Sequence, residues 1–190
     1  MVMLYAGLRP GEALAINVKR DVDFEKKVIH VREAIDLLSA DTPTISPGKN
    51  ENAIREVPLL PILEDTLKNI PGLIVSSDDG THINMREYVR YVKMYTVHLT
   101  HVINGVSRSP CKKPHGWKSI TFTPYDMRHS FCTMCRDIGI DIKILMLWMG
   151  HSDYNMIMKI YDHITQKRLD AASGILAASI DEKGEIRPLS

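Results

Sequence analysis

The most constraining stretch of the chain is residues 123–161, TPYDMRHSFCTMCRDIGIDIKILMLWMGHSDYNMIMKIY. Helix punctuation divides it into three pieces. Thr123 is placed to cap a helix whose first residue is Pro124, with Asp126 three positions after the cap. Tyr125 and Arg128, at i and i+3, then share one face of the first turn. The unpaired N–H groups and positive dipole end of that turn favour an anion. His129 lies about 100° further round the helix and is expected to face inward. Gly139 ends this helix, and residues 140–149 form an apolar run too short to span a membrane, which predicts a core helix. Gly150 turns the chain, and Ser152 or Asp153 can cap a further helix ending near Tyr161. Three helix ends thus deliver Arg128, His151 and Tyr161, a phosphate site with a nucleophile beside it.

A chain of 190 residues is long enough for one domain with a substantial core. With 44% hydrophobic and 25% charged residues it reads as globular, and disorder is excluded. Its net charge of +1, from 24 basic and 23 acidic residues, carries no signal for nucleic acid, so any basic surface must be local. Three cysteines are too few and odd in number for a disulfide framework. Cys132 and Cys135, one helical turn apart at apolar positions, read as core thiols, because a metal site normally needs four ligands. The apolar opening gives way to Arg9 too soon for a signal peptide. The expected location is the cytoplasm.

Residues 1–6 read as the tail of one helix, broken at Gly7, with a new helix starting near Pro10. The opening helix is short, as expected of a chain that begins inside a larger protein. Arg9 sits at the break, and Glu12 can fix its guanidinium. The plainer reading is a surface Arg–Glu pair worth at most about 1 kcal/mol, and local sequence alone favours it. Residues 22–24, 27–35 and 53–59 read as strands of a small antiparallel sheet. The link 36–52 holds Pro43, Pro47 and Gly48 and reads as a long hairpin loop carrying Lys49, which is merely solvated unless something recruits it. A short helix over 61–70 and a turn at Asp78-Asp79-Gly80 precede a long helix capped by Asn84 and running to about Ile103. His98 and His101 on that helix read as polar positions. The loop 104–120 gathers Arg108, Lys112, Lys113 and Lys118 around Trp117, which suits nucleic-acid contact about as well as plain solvation. Residues 165–180 predict an amphipathic helix, followed by a polar tail over 181–190.

An Arg, Lys, Arg, His and Tyr set can perform phosphoryl chemistry. Two guanidiniums can clamp the non-bridging oxygens of a phosphodiester and stabilise charge that grows in the transition state. A tyrosine can attack phosphorus and form a covalent intermediate. A lysine can protonate the leaving oxygen, and a histidine can donate to the phosphate or move protons. This chemistry requires no metal or other cofactor, and no convincing carboxylate cluster is present to bind one.

Three segments resemble the catalytic domain of the tyrosine recombinase (phage integrase) family. They are Ala6-Gly7-Leu8-Arg9-x-x-Glu12-x-x-x-Ile16 followed by Asp21-Val22-Asp23; Lys49 before Ile54-Arg55-Glu56-Val57-Pro58-Leu59; and Thr123-Pro124-Tyr125-Asp126-Met127-Arg128-His129-Ser130-Phe131, then Met149-Gly150-His151-Ser152, then Tyr161-Asp162-His163. Each box alone is weak, but their order and intervals agree from Arg9 to Tyr161. The resemblance implies a mainly helical α+β fold with a small antiparallel sheet, filling residues 1–180 without the family's N-terminal DNA-binding domain. It implies that Arg9 and Arg128 bind the scissile phosphate and that Lys49 is the general acid. His151 would assist at a non-bridging oxygen, and Tyr161 would form a 3′-phosphotyrosyl bond. Partners would be double-stranded DNA with attachment-type sites and, through the helix at 165–180, neighbouring copies on DNA; no membrane is involved.

Position 125 departs from the pattern, because the family usually carries histidine there as a proton acceptor. A phenol, which titrates at about 10 in water, can hydrogen-bond a phosphate oxygen but is a poor base at neutral pH. Tyr125 is therefore expected to position, while His151 carries the proton traffic. Two alternatives stay open within the fold: a type IB topoisomerase-like enzyme, and a catalytically impaired DNA-binding module.

Overall fold

A computed structural model describes residues 1–36, 42–47, 54–108, 112–150, 170 and 173–174. The chain opens with α1 (Val2–Tyr5), breaks at Gly7 with φ +65°, and resumes as α2 (Pro10–Ala15). Only a residue without a side chain suits Gly7, because its φ is left-handed and a Cβ would lie 2.4 Å from the Phe131 ring. A turn of helix, α3 (Val18–Asp21), leads into β1 (Val22–Asp23).

The expected small sheet is present, in the order β1-β2-β5, with β2 (Val28–Val31) and β5 (Arg55–Pro58) antiparallel and Ile29 opposite Val57. Two details differ from the sequence reading. The strand expected over 27–35 divides at Arg32 into β2 and β3 (Glu33–Asp36). The link expected to be a loop contains β4 (Thr44–Pro47), which pairs with β3 as a separate two-stranded ribbon. An edge strand tolerates proline at its end because one side of its ladder needs no donor, so the prolines there were misleading. Residues 73–83 form a turn with Ser77 N–H donating to the Thr81 carbonyl at 2.9 Å.

Helix α4 (Pro61–Leu67) packs Leu63 and Leu67 onto the β1-β2-β5 sheet, in a core that also holds Leu8, Ile16, Ile29, Val31 and Val57. The long helix α5 (Met85–Ile103) is closed at its start by Asn84, whose side chain accepts from Glu87 N–H at 3.0 Å. Two further helices, α6 (Pro124–Asp137) and α7 (Ile142–Met149), bury Phe131, Cys132, Cys135, Leu145 and Met149 in a second core. Trp148 joins the two cores, since it packs against both. Cys132 and Cys135 are buried free thiols, as expected, and burial raises both above their ordinary range. The expected core role of residues 140–149 holds for one face of α7, whereas Ile144 and Leu147 remain exposed. Among the described residues no helix is long and apolar enough to cross a membrane.

Candidate active site

Thr123 and Asp126 set the start of α6. The Thr123 N–H and hydroxyl both donate to the Asp126 carboxylate, at 2.6 and 3.0 Å. With that end fixed, Arg128 points inward, where it is 3% exposed, and Tyr125 points outward. Tyr125 is close enough to Arg128 and to Tyr88 of α5 to interact with both electrostatically. His129 lies on the exposed face, contrary to the inward placement expected. A step of about 100° from the buried Arg128 carries it past the rim of a narrow apolar stripe.

Arg9 caps α2. Its backbone N–H donates to Glu12 Oε2 at 2.8 Å, and its Nη1 donates to Glu12 Oε1 at 2.8 Å. The plain surface pair that local sequence favoured is not what forms. Glu12 is 4% exposed and meets three guanidiniums. Besides Arg9, Arg55 forms a two-pronged pair with it, at 3.0 and 2.8 Å, and Arg128 Nη1 stands 3.9 Å from Oε2. Burial alone would raise the Glu12 carboxyl, but the Arg55 hydrogen bonds and charge, reinforced by Arg9, outweigh it and hold the group down at about 2. Burial also pulls the Arg128 guanidinium below its ordinary value, and the Arg9 charge adds to this.

The same three arginines grip the end of α7. Arg55 Nε donates to the Trp148 carbonyl at 2.6 Å, Arg128 Nη2 to the Met149 carbonyl, and Arg9 Nη2 to the Gly150 carbonyl at 2.9 Å. Arg128 Nη1 also donates to the Gly7 carbonyl, which ties the α1–α2 break to the same point. Helix C-termini carry unsatisfied carbonyls and the negative end of the dipole, so cations are at home there. Gly150 then leaves α7 in the left-handed region, with φ +57° and ψ +42°.

Of the expected site residues, Arg9 and Arg128 meet around Glu12 and the end of α7, with Tyr125 near enough to Arg128 to interact electrostatically. Lys49, His151 and Tyr161, and the helix and tail predicted beyond residue 164, lie outside the described residues, apart from Asp170, Ser173 and Gly174, which are helical. Lys112, Lys113 and Lys118 are exposed, and the Lys118 backbone is tied to the Asn104 side chain at 2.7 and 3.0 Å. Arg55 was missed as a site residue. The signal was present in the alternation of β5, which puts Arg55 on the same buried side as Val57 and Glu56 on the exposed one. Among the described residues no group of three His, Cys, Asp or Glu side chains is placed to hold a metal.

Among the described residues, one carboxylate answers three guanidiniums, and Arg9 keeps a third of its side chain open to solvent. Such an arrangement can receive an anion. Sequence comparison supplies the lineage: the phage integrase family matches residues 1–168, and the chain belongs to it. It is 24% identical over 174 residues to the transposase from transposon Tn916 of Enterococcus faecalis, covering 87% of this chain and 41% of the transposase. A XerC-like tyrosine recombinase of Caldanaerobacter subterraneus is 25% identical over 179 residues, covering 85% of this chain and 44% of the relative. The chain thus spans less than half the length of these relatives. Among solved structures, the Tn1549 transposon integrase in complex with transposon right end DNA superposes with a TM-score of 0.69 at 25% identity, covering 93% of this chain and 57% of that one. The fold is accordingly that of the family's catalytic domain, mainly helical with a small antiparallel sheet.

Proposed function

We propose that the chain is the strand-cleaving and strand-joining part of a site-specific DNA recombinase, working through a 3′-phosphotyrosyl intermediate. The observation that carries this reading is the Arg9–Glu12–Arg128 cluster, two guanidiniums held at one point by a shared carboxylate and by the carbonyls that end α7. The names of the relatives support it: a transposase, a XerC-like recombinase and an integrase bound to its transposon end.

In this reading Arg9 and Arg128 bind the non-bridging oxygens of the scissile phosphate. Their charges lower the barrier most when negative charge builds up in the pentavalent transition state. The Tyr161 oxygen attacks phosphorus, the bond to the 5′-oxygen breaks, and Lys49 supplies the proton that the leaving oxygen takes. His151 follows directly on Gly150, whose carbonyl Arg9 holds, and it donates to a phosphate oxygen. Tyr125 hydrogen-bonds the phosphate from the first turn of α6. The phosphotyrosyl link conserves the energy of the broken bond, so a 5′-hydroxyl can rejoin the strand without a nucleotide cofactor. Lys112, Lys113 and Lys118 contact the DNA backbone beside the site, and the working location is the cytoplasm.

A nicked suicide duplex carrying the attachment site of the encoding element tests the proposal. Wild type is expected to yield a covalent protein–DNA band on a denaturing gel, and Tyr161→Phe none. A band of equal strength from both proteins would remove Tyr161 from its role.

A further inference from the structure

A buried arginine outside the phosphate-binding pair holds that pair in place. Arg55 lies on β5 with 1% of its side chain exposed, against 33% for Arg9. Its guanidinium is nevertheless fully engaged at the centre of the site. Two nitrogens take both oxygens of Glu12, at 3.0 and 2.8 Å, and Nε reaches the Trp148 carbonyl at 2.6 Å. Glu12 in turn holds Arg9 Nη1 at 2.8 Å. The next two carbonyls of the same helix end, Met149 and Gly150, are the ones that Arg128 and Arg9 hold. Arg55 is thus the member of the trio whose guanidinium grips both carboxylate oxygens of Glu12 while also holding the end of α7.

We infer that Arg55 is a positioning residue for strand cleavage: it sets Glu12 and the C-terminus of α7 so that Arg9 and Arg128 meet the scissile phosphate in register. The inference rests on the reading of Arg9 and Arg128 as phosphate ligands. A planar guanidinium is required because three acceptors must be met in one plane, two on a carboxylate and one on the backbone. A lysine ammonium keeps the charge but cannot span both oxygens of Glu12 and the carbonyl together. Loss of the plate lets the Glu12 carboxylate rotate, and Arg9 moves with it. Misplacement of about 1 Å remote from the reacting bond can cost roughly 100-fold in rate.

The test compares wild type, Arg55→Lys, Arg55→Met and Arg9→Ala on the suicide duplex, with single-turnover cleavage, DNA affinity over a salt series and thermal unfolding measured for each. Arg55→Lys is the variant chosen to stay folded, since it keeps the buried charge, and rates are compared at temperatures where each protein is folded. The expected result is a drop of roughly 100-fold in the cleavage rate for both Arg55 variants. Affinity and its salt slope are expected to stay at the wild-type values, because no phosphate contact is lost. Arg9→Ala is expected to reduce the rate, the affinity and the slope together. A wild-type cleavage rate in folded Arg55→Lys would overturn the inference and leave the reading of Arg9 and Arg128 intact. So would a lowered salt slope in that variant, which would make Arg55 a direct phosphate ligand, or a rate loss that vanishes on cooling, which would make it merely structural. Absence of any covalent complex from wild type would overturn both.

Discussion

Replacing Glu12 with glutamine isolates the charge on which the arginine cluster depends. In the folded protein the Glu12 carboxyl is held at about 2, against an ordinary 4.5. That difference corresponds to about 3 kcal/mol of stability. Because the folded-state value is the lower one, this stability is present in full above about pH 4.5 and is lost as pH falls toward about 2. Glutamine preserves the shape and one acceptor but removes the negative charge that Arg55 and Arg128 face at Glu12. Breaking a buried pair in this way costs roughly 3–5 kcal/mol at neutral pH. Urea unfolding of wild type and Glu12→Gln, repeated from pH 7 down to pH 3, measures the gap. The gap is expected to be about 3 kcal/mol at pH 7 and to narrow steadily below about pH 4.5. Every other carboxylate is common to both proteins and cancels from the difference. A gap that stays constant with pH, or one below about 1 kcal/mol at pH 7, would refute the coupling of Glu12 to the three guanidiniums.

Other perturbations probe different links. Gly11→Ala puts a Cβ 2.4 Å from the Ile35 backbone carbonyl, which cannot swing aside, so a loss of roughly 2–4 kcal/mol is expected in chemical denaturation; Gly72→Ala, which meets nothing within 4 Å, should stay within about 0.5 kcal/mol. Tyr125→Phe removes one hydrogen bond to the anionic phosphate and should slow cleavage by roughly 10-fold in single turnover, since a hydrogen bond to a charged group is worth about 1.5 kcal/mol at the low end. A loss as deep as that of Tyr161→Phe would instead make Tyr125 a proton carrier. Sulfate at ten times its dissociation constant should stabilise wild type by about 1.4 kcal/mol, read as a rise in thermal midpoint. Arg9→Ala should respond less, and equal responses would mean that the anion binds elsewhere.

Much of this architecture could be read from local signals. Thr123, Pro124 and Asp126 mark the start of α6, Asn84 marks that of α5, and Gly150 marks the end of α7, because caps and left-handed turns are chosen by neighbouring residues alone. Pairing across the chain was less visible. The split at Arg32 and the strand at Thr44–Pro47 depend on which edge is free to tolerate proline, and no short window contains that information. Arg9 and Arg128 could be named from the resemblance of the three boxes to a family pattern, whereas the burial of Glu12 depends on Arg55, 43 positions away, and on the end of α7. Read three residues at a time, Arg9 and Glu12 are an ordinary surface pair. In the fold they belong to a cluster in which, among the described residues, Glu12 meets Arg9, Arg55 and Arg128.

The most direct measurement of the central claim is the chemistry of the covalent bond itself. Wild-type complex trapped on the suicide duplex would be digested with nuclease and protease, and the nucleotide-bearing peptide sequenced by mass spectrometry. The account predicts one modified peptide, with the phosphate of a 3′-nucleotide on Tyr161 and a free 5′-hydroxyl on the released strand. A nucleotide on Tyr125 or any other side chain, or a link through a 5′-phosphate, would contradict it.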